Sequence, residues 1–207
     1  FQAVVLLGDL KPDGGLLVHA GASGVGLAAI QLGRFIGAKD VIATASTKEK
    51  LDWLRSLSNG ATATANYKNE DFSQVVKEAT QGKGVNVVVD FVGQTHFTKN
   101  IDSLAVDGTM VMLAMLSGAT VPSVNLGPIL FKRLRIQGST LRSRSPAYQA
   151  DLIARFSNDI LDHISGKEGD GKITTFIHKV YPWDKIQDAH REMEANGNSG
   201  KIIAEIN

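Results

Sequence analysis

Short apolar runs alternate along this chain with stretches in which apolar residues recur every three or four positions. Leu16-Leu17-Val18-His19-Ala20 reads as a short strand. Residues 24–37 follow with helical spacing through Leu27, Ile30, Gln31 and Arg34, and Gly37 is placed to cap the C-terminus. Val41 to Thr44 is a second strand, and Lys48 to Leu57 a second helix with Thr47 as N-cap. A weaker strand (Ala61 to Tyr67) and a helix (Asp71 to Thr80) come next. Val85 to Phe91 is the clearest strand, almost continuously apolar, as expected where both faces of a sheet are covered. Thr95 to Leu104 reads as a helix, Thr109 to Leu116 as another buried strand, and Leu134 to Leu141 as a further strand.

This alternation predicts an α/β fold with a doubly wound parallel sheet. Right-handed crossovers give the Rossmann strand order 3-2-1-4-5-6. The rhythm changes after Ser145. A long helix (Ala147 to Ile164) leads to a loop with Gly166, Gly169 and Gly171. A strand (Ile173 to Val180), a helix opened by Pro182 and a last strand (Lys201 to Ile206) complete the pattern. Phe1 to Gly8 reads like the apolar tail of a helix already under way, so further residues are expected upstream.

The strongest chemical signal is L-L-V-H-A-G-A-S-G-V-G at 16–26. A strand ends, three glycines fall within six residues, and a helix begins. In that βαβ setting the glycines have separate expected roles. Gly21 permits a tight turn, Gly24 lets backbone approach a pyrophosphate, and Gly26 lets the helix pack close to the strand. Helix N–H groups and the helix dipole then favour phosphate. The spacing departs from G-x-G-x-x-G because Ser23 holds the middle position. The plain alternative is a glycine-rich turn with no ligand.

The second strand's end bears on which dinucleotide is bound. NAD sites usually carry an acid there for the ribose 2′-hydroxyl. Here Ala43-Thr44-Ala45-Ser46-Thr47-Lys48-Glu49-Lys50 supplies hydroxyls and lysines instead. That favours NADPH, whose 2′-phosphate an acid would repel and a lysine would pair. The other reading makes Thr47 a cap on a helix whose first turn is merely solvated. The two readings are compatible, and Glu49 weakens the local positive field.

Other signals have plainer explanations. Tyr181-Pro-Trp-Asp-Lys185 matches the Y-x-x-x-K pair of short-chain dehydrogenases. That pair needs one helix face, and Pro182 biases Tyr181 toward extended backbone, so the match is rejected. His19 reads as a packed, hydrogen-bonded strand residue. His96, just after Gly93, stands at a ligand-facing strand end, although a surface loop suits it better. Met110, Met112 and Met115 read as core filling. Arg142 and Arg144 are either surface charge or contacts near the strand ends.

Composition narrows the classes. The net charge is +1, which gives no electrostatic case for nucleic acid or a membrane surface. No apolar run is long enough to span a bilayer. With no cysteine, disulfides and Cys-ligated metal sites are excluded within these 207 residues, and no metal site is expected. A cytoplasmic location fits.

Taken together, several stretches resemble zinc-independent quinone oxidoreductases, the zeta-crystallin-like branch of the medium-chain dehydrogenase/reductase superfamily. They are the glycine turn at 16–26, A-S-T-K-E-K-L (45–51), N-Y-K-N-E-D-F (66–72), G-K-G-V-N-V-V-V-D (82–90), S-T-L-R-S-R (139–144), A-H-R-E-M-E-A-N (189–196) and S-G-K-I-I (199–203). The resemblance implies NADPH as cofactor and hydride transfer to a quinone or activated alkene (enone). It implies that Ala22, Ser23, Gly24, Val25 and Gly26 hold the pyrophosphate. Ser46, Lys50 and Tyr67 would surround the adenosine ribose and its 2′-phosphate. Val92 and Gly93 would line the site below a ribose, and Leu113, Ala114 and Met115 would approach the nicotinamide ribose. Ser139, Thr140 and Leu141 would lie near the nicotinamide, with Asn198 a further contact. No catalytic residue is assigned.

The resemblance also implies three parts: residues 1–15 as the remnant of an inter-domain helix, 16–143 as the dinucleotide-binding domain, and 144–207 as a segment packing on that domain and on an absent GroES-like catalytic domain. An extra residue near Ser58-Asn59 departs from the family pattern. Relatives pair their sheets edge to edge, so a homodimer through Leu134–Leu141 is expected. The alternatives are another medium-chain reductase (an enoyl reductase or an alcohol dehydrogenase) and an NADPH- or nucleic-acid-binding module without turnover. The fragment alone is expected to have little or no activity.

Overall fold

The computed structural model describes residues 1–165 and 172–206. Its centre is a six-stranded parallel sheet in the order β3-β2-β1-β4-β5-β6. The strands are β1 (Gly15–Val18), β2 (Asp40–Ala45), β3 (Ala63–Asn66), β4 (Val85–Asp90), β5 (Leu104–Met112) and β6 (Arg135–Gly138). The connecting helices are α1 (Gly24–Ile36), α2 (Lys48–Ser56), α3 (Phe72–Ala79), α4 (Phe97–Ser103) and the short α5 (Gly127–Phe131). This is the doubly wound order that the pattern predicts.

The continuous apolar runs follow from period two with both faces covered. Leu16 and Val18 join one buried cluster with Ile30, Val41, Leu54, Val87 and Val89. Leu17 joins the other with Ile42, Phe72, Val76, Val88 and Met110. The helix signals hold in detail. Thr47 Oγ1 accepts from Lys50 N at the start of α2, and Gly37 closes α1 in the left-handed region at φ 93°, while Asp71, expected as the first residue of a helix, caps α3 from just outside it.

Several boundaries differ from expectation: β6 stops at Gly138 and not Leu141, the strand expected from Ile173 starts at Ile177, and three further differences shape the site and the C-terminal unit. β5 begins at Leu104 and stops at Met112, not Thr109 to Leu116. Leu104 pairs with Val85, and the register breaks before Thr109, where Asp107 turns to φ 62°. Past Met112 the chain curls back over β4, with Leu116 N bonded to Phe91 O and Ser117 N to Val92 O. Met115 is therefore more than half exposed and is not core filling. Second, Pro182 closes a strand rather than opening a helix: β7 is Ile177–Pro182, a 3-10 turn follows, and the helix α8 starts at Ile186 and runs to Glu194. Tyr181 thus lies on a strand and Lys185 in a turn, as the rejection of Y-x-x-x-K requires. Third, the long helix is built in pieces: α6 (Pro146–Phe156), a π-helical turn to Leu161 and α7 (Asp162–Ser165). The expected glycine loop at Gly166, Gly169 and Gly171 lies outside the described residues.

The last strand, β8 (Lys201–Glu205), pairs in parallel with β7 in a separate two-stranded sheet. This C-terminal unit is tied to the main sheet at defined points. Gln31 exchanges two hydrogen bonds with the Thr174 backbone, and Gly200 N donates to Ala22 O at 2.8 Å. Ile160 and Ile173 are buried in the first apolar cluster. The tie at Ala22 matters most, because it brings the 196–201 turn beside the glycine-rich turn.

Candidate dinucleotide site

β1 ends beneath the glycine turn. The strained residue there is Ala20, at φ 47°, and Gly21 serves a different need from the one expected. A Cβ on Gly21 would sit 2.9 Å from Ala43 Cβ and 3.0 Å from Leu54 Cδ1, so the glycine is required by packing, not by left-handed backbone. Gly26 meets its expected role, since a Cβ there would lie 2.3 Å from Ala20 O. Ser23, the residue that breaks the usual spacing, caps α1: its Oγ accepts from Gly26 N at 3.0 Å. Over Gly24 runs the Lys201 side chain, so close that a Cβ would overlap its Cε at 2.3 Å. A lysine from β8 therefore crosses the helix start where phosphate is expected.

A cavity of about 500 Å³ opens from this turn along the carboxyl ends of β1, β2 and β4. Ala20, Ala22 and Ser23 form one end, and Thr44 to Ser46, Lys50 and Tyr67 form the side reached from β2 and β3. Val92, Thr95, His96 and Lys99 face them from the β4–α4 connection, with Leu116 and Ser117 from the chain that curls back after β5. Asn196 and Asn198 close the cavity from the C-terminal unit, where Lys50 Nζ donates to Asn196 O at 2.6 Å. No acidic side chain lines the cavity among the described residues.

The expected site residues divide into two groups. Ala22, Ser23, Ser46, Lys50, Tyr67, Val92 and Asn198 line the cavity together. Gly24, Val25 and Gly26 form the first turn of α1 beside it. Gly93 lies buried behind it at φ 81°, its N–H directed at the Asp90 carboxylate, which also accepts from Val92 N. Burial raises the Asp90 pKa above its ordinary value, and those two bonds oppose the rise. Leu113, Ala114 and Met115 stand outside the cavity wall, where Leu116 and Ser117 take the place expected of them. Ser139, Thr140 and Leu141 follow β6 at a further strand end. There Ser139 Oγ is buried with no hydrogen-bond partner, while the Thr140 hydroxyl pairs with Ser143.

His96 corrects the sequence reading. It is not a surface-loop residue but 92% buried, stacked on Phe72 at 5.0 Å and edge-on to His19 at 4.7 Å. His19 Nε2 is 2.6 Å from Asn100 Oδ1, and Nδ1 is 3.0 Å from Thr44 Oγ1. Burial lowers the pKa of each histidine to about 4, so both imidazoles are neutral near pH 7. His96 and Phe72 line the cavity, and His19 lies buried behind them. Lys99, also unforeseen, lies on α4 one turn beyond Thr95; that spacing is the signal by which it could have been found. Leu116 was hidden by the expectation that β5 runs to it, and Ser117 by lying just past that expected end.

A glycine turn at a strand–helix junction, opening on a cavity at the carboxyl ends of a doubly wound sheet, defines a dinucleotide-binding type of domain. The comparisons with known proteins make this specific. The profile of the family described as "Zinc-binding dehydrogenase" matches residues 24–158, and the chain belongs to that family. It is 36% identical over 200 residues to quinone oxidoreductase 1 of Escherichia coli K12, covering 94% of this chain and 58% of that protein. It is 30% identical over 198 residues to 2-haloacrylate reductase of Burkholderia sp., covering 94% and 56%. The crystal structure of Escherichia coli quinone oxidoreductase complexed with NADPH superposes with a TM-score of 0.78 at 33% identity, over 95% of this chain and 58% of that one. The chain thus spans under three-fifths of the length of these relatives and is a quinone oxidoreductase-like member of the medium-chain superfamily. The family's name notwithstanding, no group of three or more metal-binding side chains exists among the described residues.

Proposed function

We propose that the cavity holds NADPH and that the chain is the cofactor-binding part of a zinc-independent reductase. In the longer enzyme, hydride passes from the nicotinamide to a quinone or an activated alkene. One observation carries the reading: a glycine turn, the hydroxyls of Ser46 and Tyr67, and a lysine with no carboxylate partner among the described residues open into one cavity with no acid in its wall. An acid at the end of β2 is what a 2′-hydroxyl would call for. Ser46, Lys50 and Tyr67 instead suit a 2′-phosphate. Past β6, outside the cavity lining, the buried Ser139 Oγ lacks a partner that the carboxamide of a nicotinamide could supply.

The cofactor supplies the hydride when bound. This chain's residues supply binding and orientation. Ala22 to Gly26 would take the pyrophosphate on backbone N–H groups, and Lys201 is placed to add charge there. The neutral His96 leaves that wall of the cavity uncharged. Two relatives support the acceptor class, one named for quinones and one for an activated alkene, a haloacrylate. The part after residue 143 would pack both on this domain and on a catalytic domain of GroES type, with residues 1–15 leading from that domain. The exposed β6 edge suits a homodimer joined sheet to sheet.

The test is a titration of NADPH and NADH against wild type and Lys50→Ala. Preferential NADPH binding that disappears in the variant supports the reading. Equal binding of both cofactors by wild type would make 46–50 an ordinary helix start and sink the NADPH assignment.

A further inference from the structure

Lys50 and Lys99 both line the cavity, and the surroundings of Lys50 are one-sided. Its ammonium has a carbonyl partner, Asn196 O, and no carboxylate partner among the described residues. Its pKa is lowered by burial first and then by the charge of a second lysine, Lys68. The sheet places that neighbour. β3 runs beside β2 with Asn66 opposite Ala45, and Tyr67 N donates to Ala45 O at 3.3 Å. Asn66 Oδ1 then accepts from Lys68 N at 3.1 Å, which pins the lysine where the ends of β2 and β3 meet the start of α2.

The four acids between residues 46 and 72 all have other tasks. Glu49 is held by its own backbone N–H and by Thr47. Asp52 pairs with Lys48. Glu70 accepts from Asn66 N, and Asp71 caps α3 and lies 3.5 Å from Lys99. Lys48 and Lys99 are thereby neutralised, while Lys50 and Lys68 are not. Two neighbouring ammonium groups with no acid to share raise each other's energy, and a bound dianion would reverse that.

We propose that Lys68 is the second cation of a 2′-phosphate site, acting with Lys50 and the hydroxyls of Ser46 and Tyr67 to select a phosphorylated ribose over a plain one. This rests on the cavity being a nicotinamide-dinucleotide site. Lys68 does not line the cavity, so its side chain swings over the rim to reach the ligand and contributes nothing to the adenosine.

Calorimetry on the 207-residue chain with adenosine 2′,5′-bisphosphate and with 5′-AMP tests this, since neither probe depends on turnover. Wild type should bind the bisphosphate more tightly. Lys68→Gln should weaken the bisphosphate about fivefold, the range of an exposed charge pair, and leave 5′-AMP within about twofold; Lys68→Arg should restore the preference. Raised salt should shrink the wild-type advantage. An unchanged bisphosphate affinity in Lys68→Gln, with the wild-type preference intact, overturns the role of Lys68 and leaves the 2′-phosphate reading on Lys50. Equal losses for both probes also overturn it, because Lys68 would then support the fold. A wild-type chain that does not distinguish the probes overturns the 2′-phosphate reading and this inference with it.

Discussion

β4 and β6 belong to one parallel sheet and differ in almost everything else. β4 is buried on both faces apart from Asn86, whereas every residue of β6 is exposed. β4 is bracketed by β1 and β5; β6 has one neighbour. Beside β6 lie Leu130 and Phe131, both more than two-thirds exposed, and Ile136 within it. The interior is therefore complete with this chain alone, while the edge is built like a surface awaiting a cover. Function follows the same division. The cavity sits at the completed interior, between β1, β2 and β4, and the exposed edge lies at the far side.

The comparison breaks most readily at Gly26. Gly26→Ala puts a methyl 2.3 Å from Ala20 O, between α1 and β1, at a spot where both partners are backbone. Neither can move aside without opening the sheet. Such overpacking costs about 3 kcal/mol or more, and urea denaturation followed by circular dichroism should show that loss or complete unfolding. A variant as stable as wild type would mean that α1 is not seated on the sheet this closely.

Acid probes the interior next. His19 is wholly buried and has a pKa of about 4, against 6.5 in the unfolded chain. The unfolded state thus binds more protons between those values, so stability is full above pH 6.5 and is lost as pH falls toward 4. At roughly 1.4 kcal/mol per pH unit, the loss from this residue is on the order of 3 kcal/mol. His96 is lowered in the same direction and adds to it. Urea midpoints at pH 7 and 4.5 measure the slope, and His19→Gln should flatten it whatever its own stability. A slope that is unchanged in the variant would place the acid sensitivity elsewhere.

The edge should respond to charge where the interior responds to volume. Ile136→Lys on β6 should weaken self-association by at least about tenfold, roughly 1.4 kcal/mol, and leave the thermal midpoint of the dissociated chain within a degree or two. Sedimentation velocity over a concentration series shows the shift. A wild-type chain that remains monomeric throughout would remove β6 as a dimer surface.

The same contrast explains what was legible beforehand. Residues under strong local constraint announce themselves: the β4 run V-N-V-V-V-D, the Thr47 cap, and Gly37 at its left-handed turn all follow from short-range rules. Of the cavity, Ser46 and Lys50 were visible because they follow the end of β2, which periodicity locates, whereas Tyr67 was implied only by the resemblance to quinone oxidoreductases. Lys201 over Gly24 was not, since it depends on a contact between residues far apart in the chain. His96 looked like a loop residue for a related reason: it is buried by Phe72, His19 and Tyr67, which come from three different elements. The end of β5 was misplaced because Leu113 to Leu116 is as apolar as a strand, yet it hydrogen-bonds back onto Asp90 and Phe91 as a turn.

The smallest expected effect is the sharpest test of the edge. Gly138 closes β6, and a Cβ there meets nothing within 4 Å. Its backbone is not in the left-handed region, so alanine carries no strain. Gly138→Ala should leave stability within about 0.5 kcal/mol, or raise it slightly by restricting the unfolded chain. Gly26→Ala and Gly138→Ala are the same chemical change in the same sheet, one at a closed junction and one at an open rim. If the rim variant is neutral when dilute and dissociated but loses self-association, a second backbone must approach Gly138 in the dimer as closely as Ala20 approaches Gly26. If it is destabilised when monomeric, the rim is already covered by this chain, and the division between a finished interior and an unfinished edge fails.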